Sequence, residues 1–305
     1  MPPGVKSLAA LVAAVAMVGG AVVARNALDT KKVRDDLRLT VVCDPLSEAF
    51  CRAAAAADGR LTIRVERPDA TTKALQVLPQ GQAPDFQAWV SVGPWLQMAD
   101  GRRAGQPPLQ KAVSAVASSG LVLVTRPGQN LAQGCPRPAP AACLPLPTNP
   151  VGRASPLSNG VGLAGLALVV LAGTPIAPQD LDRSAIESGP AAAVLDRLAR
   201  RTNPSAGLEQ LNAAFSQANP LVLTQAAAAP AAGRAQVVRS EPAVRAVLQV
   251  GILDGRATGP LGAEAAGQAL QKAATDAGWE RGGDLAGGLP EPDGLAALQD
   301  AWTGP

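Results

Sequence analysis

Residues 37–65 read LRLTVVCDPLSEAFCRAAAAADGRLTIRV, and this stretch decides the fold class. The apolar runs at 37–42 and 61–65 each predict a buried strand. Between them, Ser47 precedes an alanine-rich segment at 48–57, a composition that favours a helix. A strand, a helix and a second strand in this order predict parallel pairing and an α/β fold.

The same alternation continues along the chain. Beyond residue 65 the patterns predict helices at 71–78, 158–172, 191–200, 206–217 and 261–278, and strands at 86–92, 113–117, 121–125, 221–223 and 236–239. Ser118, Ser119 and Gly120 separate the runs at 113–117 and 121–125. Residues 282–305 are rich in Gly and Pro, with one short amphipathic turn at 295–302, and this composition is typical of a linker.

The length of the chain predicts two lobes. About 270 residues follow the first 36, which is enough for two lobes of about 100 to 150 residues each. The proline-rich stretch at 127–156 is interpreted as a looped crossing into the second lobe. We therefore predict a first lobe over 37–126, a second lobe over 127–235, a return to the first lobe over 236–285, and a linker-like tail over 286–305.

An apolar run at 8–24 predicts a membrane-addressing segment, with residues 25–36 as a linker. It is interpreted either as a cleaved signal peptide, with Val22 and Ala24 at a small-residue cleavage site, or as an uncleaved signal anchor. The cations after the run argue against an exported carboxyl side, because they outnumber Lys6 in front of it. These cations are Arg25, Lys31, Lys32, Arg34 and Arg38.

The four cysteines outweigh that argument and favour export. Seven residues separate Cys43 from Cys51, and seven separate Cys135 from Cys143. This repeated spacing predicts two local disulfides and leaves no thiol over. We therefore expect the protein at the extracellular face of the cell membrane, anchored through residues 8–24, or secreted.

Composition excludes several functions. The chain has no His and no Tyr. It therefore lacks the imidazole base that Ser-His-Asp hydrolysis requires and a phenol that could act as a general acid. A net charge of +3 with scattered Arg and Lys does not favour nucleic acid as a partner. Asp180 and Asp182 lie in a loop next to Pro178 and are interpreted as a solvated helix start rather than paired catalytic acids. We predict no enzyme activity, no cofactor and no metal site.

A GxGxxG motif occurs at 160–165, as GVGLAG. It follows Pro- and Asn-rich sequence rather than a strand, so the dinucleotide-binding turn has no βα unit to form in. We interpret these glycines instead as positions where a helix packs closely, with residues 161–171 as its buried face. At about 12 residues this segment is too short to span a bilayer.

Five short motifs carry a family resemblance through their order. They are VVCDPLSEAF at 41–50, PDFQAWVSVGPW at 84–95, VASSGLVLVTRP at 116–127, NPLVLTQ at 219–225 and GWERGGD at 278–284. This series, over about residues 37–285, resembles bacterial extracellular solute-binding proteins of the type II periplasmic class. It is most similar to the membrane-anchored branch that a von Willebrand factor A domain often follows. Asp44, Ala88 and Gly120 depart from the family pattern, and no Asp-x-Ser-x-Ser metal motif is present.

The resemblance implies a two-lobed clamp that holds a solute between the lobes, where helix amino termini and strand carboxyl ends converge. The ligand-binding residues that it implies are Ser47, Ser91, Trp95, Ser118, Ser119, Ser155 and Thr224. Each has a structural alternative: Ser47 and Ser158 also fit as helix caps, Ser118 and Ser119 as turn residues, and Trp95 as core filling. In this class the last helix packs on the amino-terminal sheet, so residues 236–279 are expected to return there.

Two functions follow from the resemblance. The first is a receptor that captures an unknown small-molecule solute for a membrane transporter or a separate von Willebrand factor A domain protein. The second is an envelope protein–protein interaction module that keeps the clamp fold but binds no solute. The departures at Asp44, Ala88 and Gly120 leave the second function open.

Overall fold

The strand–helix–strand unit predicted at the start of the domain is present. The computed structural model describes residues 38–103, 112–128, 141, 151–200, 202–203, 221–229, 234–239, 242–253, 261, 264–284 and 288–302. Strand β1 (Leu39–Cys43) is followed by helix α1 (Glu48–Ala57) and strand β2 (Leu61–Val65). The apolar run at 8–24 and the predicted helix at 206–217 lie outside the described residues.

The later elements continue the alternation. They are α2 (Pro68–Gln76), β3 (Ala88–Val92), α3 (Trp95–Gly101), β4 (Ala112–Thr125), β5 (Val151–Gly152), α4 (Gly160–Gly173), a 3-10 turn (Pro178–Asp180), α5 (Arg183–Glu187), α6 (Pro190–Ala199), β6 (Thr202–Asn203), β7 (Leu221–Thr224), α7 (Gln225–Ala228), β8 (Gln236–Arg239), β9 (Arg245–Ile252), α8 (Glu264–Asp276), β10 (Glu280–Arg281) and α9 (Pro292–Ala301). In the described part of the chain, the strands join in the order β2-β1-β3-β9-β4-β7-β5-β6.

Strand β4 connects the two halves of this sheet. From Ala112 to Gly120 it pairs antiparallel with β9, and from Leu121 to Thr125 it pairs with β7 and β8. Residues 112–125 therefore form one continuous strand, so the prediction of two runs broken at 118–120 was wrong. Its hydrogen-bonding partners change at Gly120 while the backbone remains extended.

Strand β9 is central to the first half of the sheet, between β3 and β4, and its sequence was not predicted as a strand. Because β8 pairs with the second half of β4, the return to β3 begins with β9 rather than at residue 236. Helix α8 then packs against α1, and Trp279 after it contacts Phe50 of α1 edge to face.

The carboxyl-terminal segment is a helix of the core, which corrects the prediction of a linker-like tail over 286–305. Residues Gly294 to Gln299 of α9 are buried, and Trp302 after the helix is 5% exposed. A Cβ on Gly294 would overlap the carbonyl oxygen of Leu181. This glycine is therefore part of the helix packing rather than a sign of a linker.

Helix α4 is apolar around its whole circumference, and its residues 160–171 are buried. A helix buried on all sides needs no polar face, which explains its composition. Within the ranges described above, no helix has the length and apolar character needed to cross a membrane.

A disulfide joins Cys43 at the end of β1 to Cys51 in α1, which confirms the first predicted pair. Both cysteines are fully buried. The bond fixes the start of α1 against the carboxyl end of β1. The second predicted pair, Cys135 and Cys143, lies outside the described residues.

Candidate functional site

The candidate site lies at the carboxyl ends of β1 and β3, where ligands bind in open α/β sheets. Asp44 directly follows β1 and is 1% exposed. Its Oδ1 accepts a 2.7 Å hydrogen bond from the backbone N–H of Ser47, and its Oδ2 accepts one of 2.6 Å from the backbone N–H of Val92. The hydroxyl of Ser91 donates to the same Oδ2 at 3.0 Å.

Burial raises the pKa of Asp44, while the hydrogen bonds from Val92, Ser47 and Ser91 act in the opposite direction. The carboxyl group thus accepts hydrogen bonds from three donors at this end of the sheet, the N–H groups of Ser47 and Val92 and the hydroxyl of Ser91. Sequence analysis noted Asp44 only as a departure from the family pattern. Its position between a buried strand and a helix start was the available signal.

Two predicted site residues, Ser47 and Ser91, meet through Asp44, and both are fully buried. The Ser47 hydroxyl lies 3.0 Å from the Asp44 carbonyl oxygen and 3.1 Å from the Val90 carbonyl oxygen, two acceptors for its single proton. It makes no side-chain cap of α1. Trp95 is 1% exposed and packs in the core cluster with Trp89, which agrees with the core-filling alternative.

The predicted hydroxyls on β4 and β7 are also bonded inside the protein. Ser118 Oγ accepts from Arg245 Nε at 3.2 Å and Nη2 at 3.0 Å, and Arg245 Nη2 also donates to Glu280. Ser119 Oγ accepts from the backbone N–H of Ala226 at 3.1 Å. Thr224 Oγ1 accepts from the N–H of Ala227 and caps α7.

Ser118 lies at the same end of the sheet as the carboxyl end of β3. The N–H of Gly93, which follows β3, donates to the carbonyl of Val247 on β9 at 2.8 Å. Val247 in turn pairs with Ser118 on β4. Two strand spacings, about 10 Å, therefore separate Gly93 from Ser118. The structure thus brings the Asp44 group and Ser118 to the same end of the sheet.

Helix α4 begins against this end of the sheet, and the glycines of the GxGxxG motif allow the close contact. A Cβ on Gly160 would overlap the carbonyl oxygen of Val92, and one on Gly162 would overlap the carbonyl oxygen of Ala154. A Cβ on Gly165 would lie 3.0 Å from Cγ1 of Val222. The motif is therefore a close-packing device, as the sequence predicts.

The loop before α4 contains the remaining predicted hydroxyl. Ser155 is half-buried, and its Oγ accepts from the N–H of Leu157 at 3.3 Å. Asn159, rather than Ser158, caps α4 by accepting from the N–H of Gly162. The Ser155 hydroxyl thus bonds within its own turn rather than to the Asp44 group.

Arg153 is a charged residue that sequence analysis missed. It follows strand β5 and is 1% exposed, with its guanidinium 4.1 Å from the centre of the Trp302 ring. Nη1 lies 3.3 Å from the carbonyl oxygens of Ala154 and Gly162, whereas Nε and Nη2 have no partner among the described residues. Burial lowers the pKa of Arg153 to about 9, so the guanidinium is charged at neutral pH.

An open pocket of about 450 Å³ lies elsewhere, between α3, α5 and α9. Three of its charged groups pair with one another, because Asp300 bridges Arg102 and Arg183. Asp182, as predicted, is a solvated helix start and caps α5 through the N–H of Ala185. Across the described ranges, no cluster of three or more acidic or cysteine side chains is placed to hold a metal ion.

Comparison of sequences finds no matching family model and no matching curated protein. The fold, however, is similar to solved structures of binding proteins. The periplasmic binding protein AfuA from Actinobacillus pleuropneumoniae, with fructose-6-phosphate bound, is 14% identical with a TM-score of 0.55, over 87% of this chain and 94% of that one. The ferric binding protein from Campylobacter jejuni is 9% identical with a TM-score of 0.55, over 87% and 96%.

A periplasmic thiamin binding protein is 12% identical with a TM-score of 0.54, over 87% of this chain and 95% of that one. At these identities the similarity is one of fold. The chain has the two-lobed α/β fold of type II periplasmic binding proteins, which agrees with the fold predicted from the order of its motifs.

Proposed function

We propose that the chain is an exported solute-binding protein that captures a small molecule between its two lobes. The observation that carries this proposal is the passage of β4 from one half of the sheet to the other beside the candidate site. Proteins of the same fold are described as binding thiamin, fructose-6-phosphate and iron, which supports a small-molecule ligand. These are binding proteins, which supports the absence of catalysis.

Solute binding requires the lobes to separate first. The site hydroxyls are bonded inside the protein, to Arg245, Ala226 and Ala227 among others. A solute at Ser118 or Ser119 has to take the place of Arg245 or the Ala226 N–H. Hinge motion about the strands that join two lobes is a common way to expose and close such a site.

The location and partners are part of the same proposal. Residues 8–24 would anchor the protein at the extracellular face of the membrane, as in the branch that a von Willebrand factor A domain often follows. A membrane transporter, or a separate protein with that domain, would receive the solute. The buried Cys43–Cys51 disulfide supports an oxidising compartment.

A ligand screen with matched variants tests the proposal. The purified protein is scanned for thermal shifts against sugars, amino acids, oxyanions and polyamines, because a ligand that binds the folded state raises the midpoint. Replacing both Ser118 and Ser119 by Ala should weaken binding of the hit by about 1 to 3 kcal/mol per hydroxyl partner left unpaired. Ser114→Ala, on the exposed part of the same strand, is the control. A panel with no binder contradicts the proposal.

The second candidate is an envelope protein–protein interaction module that binds no solute. The observation favouring it is the internal use of the predicted hydroxyls, four of which are at most 2% exposed: Ser47, Ser91, Ser118 and Ser119. The close contact of Gly160 with Val92 also holds α4 against the candidate site. An empty ligand screen combined with direct binding of a purified von Willebrand factor A domain would favour this function.

A further inference from the structure

Arg153 carries a buried charge that no acidic side chain neutralises in the described part of the chain. Of its nitrogens only Nη1 lies near acceptors there, and both are main-chain carbonyls at 3.3 Å. Burying a guanidinium without an anionic partner is unfavourable, and proteins normally pair such a group or place it in water. Nε and Nη2 are left without a hydrogen-bond acceptor among the described residues.

The surroundings of Arg153 are suited to an anion. Its Nη1 lies beside the carbonyl of Gly162, so the guanidinium is next to the first turn of α4, a helix of 14 residues. The first backbone N–H groups of a helix have no intrahelical acceptor, and Asn159 caps that of Gly162. The positive end of the helix dipole and a buried guanidinium therefore lie together.

The ring of Trp302 also contacts the guanidinium. The centre of its ring lies 4.1 Å from the guanidinium carbon, and Gln299 of α9 donates to the carbonyl of Pro156 in the same loop. Contact with an aromatic face leaves the in-plane N–H groups of an Arg free to form two parallel hydrogen bonds. The group is thus preorganised for a partner with two acceptor oxygens.

We propose that Arg153 and the first turn of α4 bind an oxyanion group of the solute, a carboxylate or a phosphate. This inference rests on the proposed solute-binding function and names the chemical class of the ligand. The anion would reach Arg153 past the loop at 154–157, where Ser155 is half-buried and Leu157 is exposed. Because the bound anion neutralises a charge that is buried in the closed protein, it favours closure over the solute.

The test uses the full chain and two probes, inorganic phosphate and acetate, each titrated calorimetrically against sodium chloride of equal ionic strength. The wild type should bind at least one probe saturably, and the two probes distinguish a phosphate from a carboxylate ligand. Arg153→Met should weaken binding about tenfold to a hundredfold, because it removes the charge-assisted hydrogen bonds. Arg153→Lys, which keeps the charge but not the fork, should give an intermediate loss.

The controls separate this inference from the proposal it rests on. Arg197→Met removes an exposed cation from α6 and should bind the probes like the wild type. Arg153→Met should fold at least as stably, because it removes a buried charge. Absence of saturable anion binding by the wild type, or equal dissociation constants for wild type and Arg153→Met, overturns the inference. A neutral solute bound equally by both proteins leaves the solute-binding proposal standing, whereas failure of every solute rejects both.

Discussion

The Asp44 carboxylate accepts a 2.6 Å hydrogen bond from the backbone N–H of Val92, and this bond ties the carboxyl end of β1 to that of β3. The same carboxylate bonds Ser47 ahead of α1. One buried acidic side chain therefore holds together three segments that meet at the candidate site.

Asp44→Asn should lower the free energy of unfolding by about 1 to 3 kcal/mol, because the amide NH₂ leaves a buried donor facing another donor. Urea denaturation at neutral pH measures the loss. Asp85→Asn removes a carboxylate that is 74% exposed and paired with Arg64, so it should change stability little. Equal effects of the two variants would contradict the role of Asp44.

The stability advantage of the wild type over Asp44→Asn should narrow as the pH rises above 3.8, the ordinary pKa of the side chain. Burial raises the pKa of Asp44, so the folded protein holds the proton more tightly than the unfolded chain does. That stabilisation is complete below the unfolded pKa and is lost as the pH rises through the folded pKa. Urea denaturation of both proteins between about pH 3 and 7 measures the difference in their free energies of unfolding. A difference that widens with pH would show that the pKa of Asp44 is lowered.

Gly160→Ala should destabilise the protein by about 1 to 3 kcal/mol, because the new Cβ meets the carbonyl oxygen of Val92. Gly59→Ala is the matched control, since a Cβ there has nothing within 4 Å. Thermal unfolding of both variants gives the comparison. A Gly160→Ala protein as stable as the control would show that α4 does not press on β3 in solution.

Replacing Cys43 and Cys51 together by Ala should cost about 2 to 4 kcal/mol, because the disulfide restricts the unfolded chain and both side chains are buried. Denaturation with and without reductant measures this loss. Mass mapping of non-reduced peptides tests the second predicted pair, Cys135 with Cys143. Free thiols or crossed pairs would contradict both the pairing and the extracellular assignment.

Leu298→Ala in α9 should destabilise the protein by about 2 to 5 kcal/mol, since Leu298 is fully buried. Val77→Ala, at a position that is 80% exposed, is the control and should have little effect. Urea denaturation of both variants decides between a core helix and a linker. A neutral Leu298→Ala would favour the linker that composition predicts.

Most of the fold was predictable from local patterns, because strands such as β1 and β3 are short apolar runs next to helix starts. The exceptions depend on tertiary contacts. Helix α9 contains Pro292 and Gly294, which suggest a linker, whereas Gly294 packs against the Leu181 carbonyl. The single strand β4 could not be predicted, since its Ser-Ser-Gly segment resembles a turn and is kept extended by pairing with β9.

The candidate site was predicted only in part. Ser47 and Ser91 were both selected as ligand-binding hydroxyls, and the structure brings them together through Asp44, which was not recognised. Their role in ligand binding stays a prediction. Arg153 was missed because its importance depends on which side chains the fold places around it. In the described part of the chain those neighbours are carbonyls and the Trp302 ring, and no sequence pattern encodes that arrangement.

The sharing of β4 between the two halves of the sheet limits how the protein can be dissected in the laboratory. A fragment that ends at Gly120 would leave β3 and the first part of β4 without β9, the strand that pairs with both, and one that starts at Leu121 would leave β9 unpaired on both sides. Each fragment would present an unpaired strand edge, which promotes aggregation. Neither half is expected to be obtainable as a soluble recombinant fragment, whereas co-expression of the two could restore the sheet by fragment complementation.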